Sequence, residues 1–193
     1  MLSNLSHYHI ILASKSPRRR ELLAGLGIEF ETRVIPGIAE DYPKGLSGEE
    51  IPQYISREKA NAYRDSLSDN DLLITADTIV YTGGRVLGKP HDADDARHML
   101  KLLSGKTHQV VTGVSLTTVN AQKTFAVVTD VTFAPLSDEE INYYLTNYQP
   151  FDKAGSYGIQ EWIGYIGVTR IEGSFYNVMG LPVQRLYTEL KKF

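Results

Sequence analysis

The sequence predicts a mixed α/β protein: a β-sheet flanked by helices, without the regular alternation of a doubly wound fold. Three observations carry this. Segments with strand patterning and segments with helical patterning intermix irregularly along the chain. A length of 193 residues suits one domain, or one domain with two lobes, around a sizeable core. Hydrophobic content of 42% against 22% charged residues is ordinary for a globular chain and too apolar for disorder.

Residues 8–14 bury and branch like a strand. Ser16 then stands as an N-cap with Pro17 at the first helical position, Leu22, Leu23 and Leu26 form an apolar stripe, and Gly27 stops the helix. "EFETRVIP" reads as a second strand, and "AEDYPKGLSGEE" as an acidic loop. Ser47 and Glu50 fit a capping box for a helix running to about Leu67, with Pro52 disturbing its first turn. "DLLITADTIVY", Gly83-Gly84 and "RVLG" form a strand, a tight turn and a returning strand. "DADDARHMLKLLSG" is a helix with acids at its start, a Met99/Leu102/Leu103 face and a glycine stop. "HQVVTGVSLTTV" and "KTFAVVTDVTFA" are long strands joined by a turn around Asn120, and "SDEEINYYLTNY" is a capped helix. "FDKAGSYGIQ" is a glycine-containing loop, "YIGVTRIEG" a strand, "EGSFYNVMGLP" a loop, and "PVQRLYTELKKF" a helix begun by Pro182. There is no internal repeat, low-complexity tract or linker.

Composition excludes several function classes. With no cysteine, disulfides, thiolate-bound metals and thiol catalysis are ruled out, which fits a reducing, cytoplasmic compartment. No apolar run approaches the roughly 20 residues of a membrane span, and the start "MLSNLSHYH" lacks a signal peptide's basic n-region and apolar core. A net charge of −3 and the lack of an aromatic-basic stripe disfavour a nucleic-acid reader. His7, His9, His91, His98 and His108 have no metal-ligand spacing.

Against that mildly acidic background, "SKSPRRRELL" puts Arg18, Arg19 and Arg20 at a helix start, where cations oppose the helix dipole by a few tenths of a kcal/mol each. An anion reverses the sign. Backbone N–H groups, the Ser14 and Ser16 hydroxyls and the guanidinium forks suit a phosphate. Neither a Walker loop nor a G-x-G-x-x-G turn is present. "ITADTIV" places Asp77 and Thr78 in an otherwise apolar strand, where a carboxylate is costly unless paired. Its readings are a strand-end Asp bonded to a loop, or a metal ligand or general base. Glu40 and Asp41 offer a second carboxylate, and Mg²⁺ takes one or two carboxylates with phosphate oxygens and water. Lys59 sits on a helix, where lysines are ordinarily just solvated, whereas Lys89 lies in the constrained turn "LGKP". Lys153 and Gln160 flank small residues that would let a ligand approach the backbone.

Taken in order, "SKSPRRRELL", "REKA", "ADTIV", "GKP", "LSGKTHQVVTGV", "FDKAGSYGIQ" and "IEGSFYNVMGLP" resemble the signature blocks of the Maf family of nucleoside triphosphate pyrophosphatases, from about residue 10 to residue 183. The resemblance implies one domain over residues 1–193 with two lobes around a nucleotide-binding cleft. The implied fold is an elongated mixed sheet similar to that of inosine triphosphate pyrophosphatases, and frequently a homodimer. It further implies a divalent cation, Mg²⁺ or Mn²⁺, and hydrolysis of a nucleoside triphosphate to monophosphate and diphosphate. By motif, Ser14, Arg18, Arg19, Lys59, Lys89 and Lys153 correspond to triphosphate contacts, Asp77 to the catalytic acceptor, and Glu40 with Asp77 to the metal ligands. The family's acidic pair is incomplete here: Ala39 stands where Asp is expected, leaving Glu40, with Asp41 as a substitute. Arg18, Thr78 and Gln160 resemble the branch acting on dTTP and UTP rather than the one acting on 7-methyl-GTP. A Gln amide has the right chemistry, since it donates to O4 and accepts from N3–H of uracil or thymine. The competing reading is a nucleotide-binding regulator of septum formation and cell division.

Overall fold

The computed structural model describes residues 2–193. Seven strands form one mixed sheet in the order β2-β1-β3-β5-β6-β7, with β4 paired to β3. The strands are β1 (His9–Leu12), β2 (Glu31–Thr32), β3 (Asp71–Thr82), β4 (Arg85–Leu87), β5 (Thr107–Thr117), β6 (Gln122–Phe133) and β7 (Val168–Glu172). Helices are α1 (Pro17–Ala24), α2 (Glu50–Asn61), α3 (Ala93–Leu103), α4 (Asp138–Tyr148), α5 (Trp162–Gly167), α6 (Phe175–Met179) and α7 (Val183–Leu190). β1 runs parallel to both β2 and β3, whereas β4 and β7 are antiparallel to their neighbours β3 and β6. The predicted mixed α/β class is the observed one.

The chain forms two compact units: Met1–Asp77, Thr112–Val127 and Gly180–Phe193 make the first, Thr78–Val111 and Val128–Met179 the second. In the first unit, α2 buries Ile51, Pro52, Ile55, Ser56 and Ala60 along one face. Polar groups fix its height on the strands: the Thr75 hydroxyl donates to the Ser56 carbonyl at 2.7 Å, and the Ser56 and Ser115 hydroxyls bond at 3.1 Å. A Cβ added to Gly113 would lie 2.2 Å from the Pro52 carbonyl carbon and oxygen, so glycine lets α2 approach β5 backbone to backbone. Tyr63 accepts from the Ile35 N–H and donates to the Arg33 carbonyl, pinning the chain that leads to Glu40. The second unit has its own core of Leu100, Leu103, Val131, Phe133, Ile141, Tyr144 and Ile163 among others.

Several predicted boundaries move. The strand expected over "EFETRVIP" is only two residues long: the Arg33 N–H still bonds the Leu12 carbonyl of β1 at 3.2 Å, but the Ile35 N–H turns to the Tyr63 hydroxyl instead. Glu50 does bond the Ser47 N–H at 3.1 Å, but α2 begins at Glu50 itself, with Glu49 as its N-cap, and ends at Asn61. The first helix stops at Ala24, capped by Gly25 rather than Gly27. "YIG" closes helix α5 instead of opening β7, and the loop expected at "EGSFYNVMGLP" contains α6. Ser16 and the serine of "SDEEINYYLTNY", Ser137, cap their helices as predicted, and among the acids expected at the start of α3 it is Asp92 that caps, accepting from the Asp95 N–H.

Candidate active site

In the first unit, β1 hands the chain to α1 through "SKS". The Ser14 hydroxyl accepts from the Ser16 N–H at 3.2 Å, and the Ser16 hydroxyl caps Arg19 N–H at 3.4 Å. The serines thus spend acceptor capacity on local N–H groups, which sets the helix start rigidly. Arg18 and Arg19 are half-buried. Arg19 donates through Nε to the Gly180 carbonyl at 2.7 Å and through Nη1 to the Ala76 carbonyl at 2.8 Å. Burial pushes its pKa below the usual value, opposed by Asp77 and Glu40 and reinforced by Arg18. An arginine remains a cation even so. It therefore anchors the backbone immediately before Asp77, a role that the triple-arginine motif alone does not reveal.

Asp77 is 8% exposed and is paired: Lys59 Nζ lies 2.7 Å from its Oδ1 and 2.8 Å from Glu40 Oε1. Lys59 is thus not a solvated helix lysine. It reaches this point because Ser56, one turn earlier, is fastened to the strands. The contact with half-exposed Glu40 contributes at most about 1 kcal/mol, whereas losing the Asp77 contact would strand a buried carboxylate.

Two carboxylate oxygens converging on one cation suit a hard divalent ion that completes its shell with phosphate oxygens and water. Among the described residues no three His, Cys, Asp or Glu side chains gather as a metal site.

The second unit holds the other candidates. Thr78, its first residue, is half-buried. The Gly155 N–H donates to the Gly88 carbonyl at 3.0 Å, stitching the exposed Lys89 turn to the loop that carries Lys153. Gly155 has φ +67° and a Cβ there would strike Val80 at 2.7 Å, so only glycine makes this stitch. Lys153 is buried, its Nζ 2.7 Å from Asp152 Oδ1 and 3.1 Å from Glu161 Oε1. Gln160 is half-buried, yet its Oε1 is enclosed with no hydrogen-bond partner in the protein. Tyr144 donates to Glu161 Oε2 and accepts from the Gly158 N–H at 3.0 Å. Sequence reading missed Tyr144 and Glu161. Tyr144 is one of two adjacent tyrosines in a capped helix with nothing to single it out, and an acid after Gln160 carries no motif of its own.

The family model described as Maf-like protein matches residues 9–193. A dTTP/UTP pyrophosphatase of Phocaeicola vulgatus is 68% identical over 192 residues, spanning 100% of both chains. A dTTP/UTP pyrophosphatase of Bacteroides thetaiotaomicron is 62% identical, again over 100% of each. Among solved structures, a HAM1 protein from Coxiella burnetii aligns with a TM-score of 0.50 at 17% identity, over 96% of this chain and 100% of that one. That likeness concerns the fold.

Proposed function

The chain belongs to the Maf family, and from that premise we propose that it hydrolyses dTTP and UTP to the monophosphate and diphosphate with the aid of a divalent cation. The observation that carries this reading is Asp77, a buried carboxylate that shares one lysine with Glu40. Cleavage of the α–β phosphoanhydride needs a proton acceptor for the attacking water and positive charge for the phosphate oxygens. Asp77 accepts the water proton. Ser14, Arg18, Arg19, Lys59, Lys89 and Lys153 supply donors and cations for the triphosphate, Arg19 also holding the Ala76 carbonyl beside the base. Glu40 and Asp77 would hold Mg²⁺ or Mn²⁺, which supplies charge neutralisation of the phosphates when bound. Thr78 and Gln160, with Arg18, select the base; the enclosed, unpartnered Gln160 Oε1 supports an N–H donor such as N3–H of uracil or thymine.

The two compact units are read as the lobes of one domain. The absence of cysteine supports a cytoplasmic location, and among the described residues no helix is long and apolar enough to cross a membrane. The partners are the nucleotide and, as in the family, a second copy of the chain; no nucleic acid is involved. Similarity to enzymes named for dTTP and UTP favours catalysis over a purely regulatory role. Diphosphate release from dTTP and UTP with Mg²⁺ or Mn²⁺ tests the reading, and no release with any divalent metal would sink it. Faster release from 7-methyl-GTP than from either would overturn the branch assignment alone.

A further inference from the structure

Lys153, assigned to the triphosphate, is held by two acids within the second unit. Its Nζ lies 2.7 Å from Asp152 Oδ1 and 3.1 Å from Glu161 Oε1, and the two differ in how firmly they hold it. The Asp152 side chain is 57% exposed, so its hold is weak. The Glu161 side chain is 20% exposed and is itself fixed. The hydroxyl of Tyr144, a buried residue of α4, donates to its Oε2 while accepting from the Gly158 N–H at 3.0 Å. Burial and the bond to Glu161 raise the Tyr144 pKa, so the hydroxyl stays a donor. Gly158 makes room for the arrangement. A Cβ there would stand 2.9 Å from the Glu161 carboxyl carbon and 3.1 Å from Lys153 Cε, so the carboxylate and the lysine stem both lie against bare backbone.

An ammonium carries three N–H donors, so two carboxylate partners leave one for a phosphate oxygen. A lysine side chain that rotates freely must be ordered when nucleotide binds, and that ordering weakens binding. The series Tyr144, Glu161, Lys153 imposes the order on folding instead, because a buried tyrosine fixes the acid and the acid fixes the cation. We propose that Glu161 is a positioning residue for nucleotide binding, holding the Lys153 ammonium in place before the triphosphate arrives. The proposal rests on the phosphate-binding role of Lys153, and its effect carries no base preference because the triphosphate is common to every substrate.

The test measures kcat and KM for dTTP and UTP in the wild type, Glu161→Gln, Lys153→Met and the double variant, with the Tm of each. Glu161→Gln puts one oxygen and one amide nitrogen where the carboxylate has two oxygens, so Tyr144 and Lys153 cannot both keep an acceptor. In that variant KM should rise about 3–10-fold, the effect of ordering one long side chain on binding, with kcat changed less than about twofold. The rise should be the same for both nucleotides. Adding Glu161→Gln to Lys153→Met should move KM by less than about twofold, because the acid acts through the cation. A purely structural role would lower Tm and the active fraction, hence the apparent kcat, and leave KM unchanged; that result overturns the proposal. So does a fall in KM, which would make Glu161 a competitor of the phosphates for Lys153. Unchanged KM in Lys153→Met overturns instead the phosphate-binding role on which the proposal depends.

Discussion

Replacing Asp77 by Asn separates the chemistry of this carboxylate from its structural work. The side chains of Asp77 and Lys59 are 11% and 13% exposed and meet at 2.7 Å, a charge-assisted contact screened little by water. A hydrogen bond to a charged group is worth about 1.5–3 kcal/mol. Lys59 keeps Glu40 at 2.8 Å, so its ammonium is not stranded, and a loss of about 2 kcal/mol is expected. For a chain of this size that is a fall in Tm of about 4–8 °C. Turnover should fall far more, by about 10²–10⁴-fold, since the amide cannot take a proton from water. Lys59→Met provides the contrast: it removes the shared cation from both carboxylates and should cost about 3–5 kcal/mol. Calorimetric melting and a diphosphate-release assay on the two purified variants read both quantities. Wild-type kcat in Asp77→Asn would remove Asp77 from the mechanism. A Lys59→Met protein at least as stable as Asp77→Asn would refute the bridging account.

Gly113→Ala should be destabilising by about 3 kcal/mol or more, since its new methyl lies 2.2 Å from the Pro52 backbone and cannot be accommodated by a side-chain rotation. Because α2 carries Lys59, denaturant melts should show the loss and activity at saturating nucleotide should fall with it. His108 is 2% exposed, with Nε2 on the Tyr157 hydroxyl at 2.7 Å, and burial pushes its pKa down to about 4 despite the Asp130 charge. The unfolded chain therefore takes up this proton first as pH falls. The associated stability is fully present above about pH 6.5 and drains away toward pH 4, amounting to about 2 kcal/mol between pH 8 and pH 5. Urea titrations at those two pH values should show that part of the slope in the wild type but not in His108→Phe.

The features legible in the sequence are those decided by near neighbours. Ser16 with Pro17, Asp92 and Ser137 with Glu140 specify helix starts because a cap bonds to an N–H about three residues away. Gly83-Gly84 fixes the β3–β4 hairpin for the same local reason. The chemistry-bearing residues are also visible one at a time, since an Asp in an apolar strand or three arginines at a helix start are anomalies wherever they fold. What long-range packing decides is less accessible. Helix or strand at "YIGVTRIEG", and the length of β2, turn on which neighbour the segment meets.

The sequence by itself determined the mixed α/β class, most element cores, the family resemblance and the identity of the candidate site residues. Only the tertiary structure decided what each of them touches. Lys59 and Asp77 are 18 positions apart, and Arg19 reaches carbonyls 57 and 161 positions away. Nothing in the sequence sets Tyr144 apart, and its hydroxyl is found on Glu161 and Gly158. The reason is physical: caps and turns are set by bonds spanning a few residues, whereas a buried charge or hydroxyl takes whichever partner the packing of distant segments brings within about 3 Å.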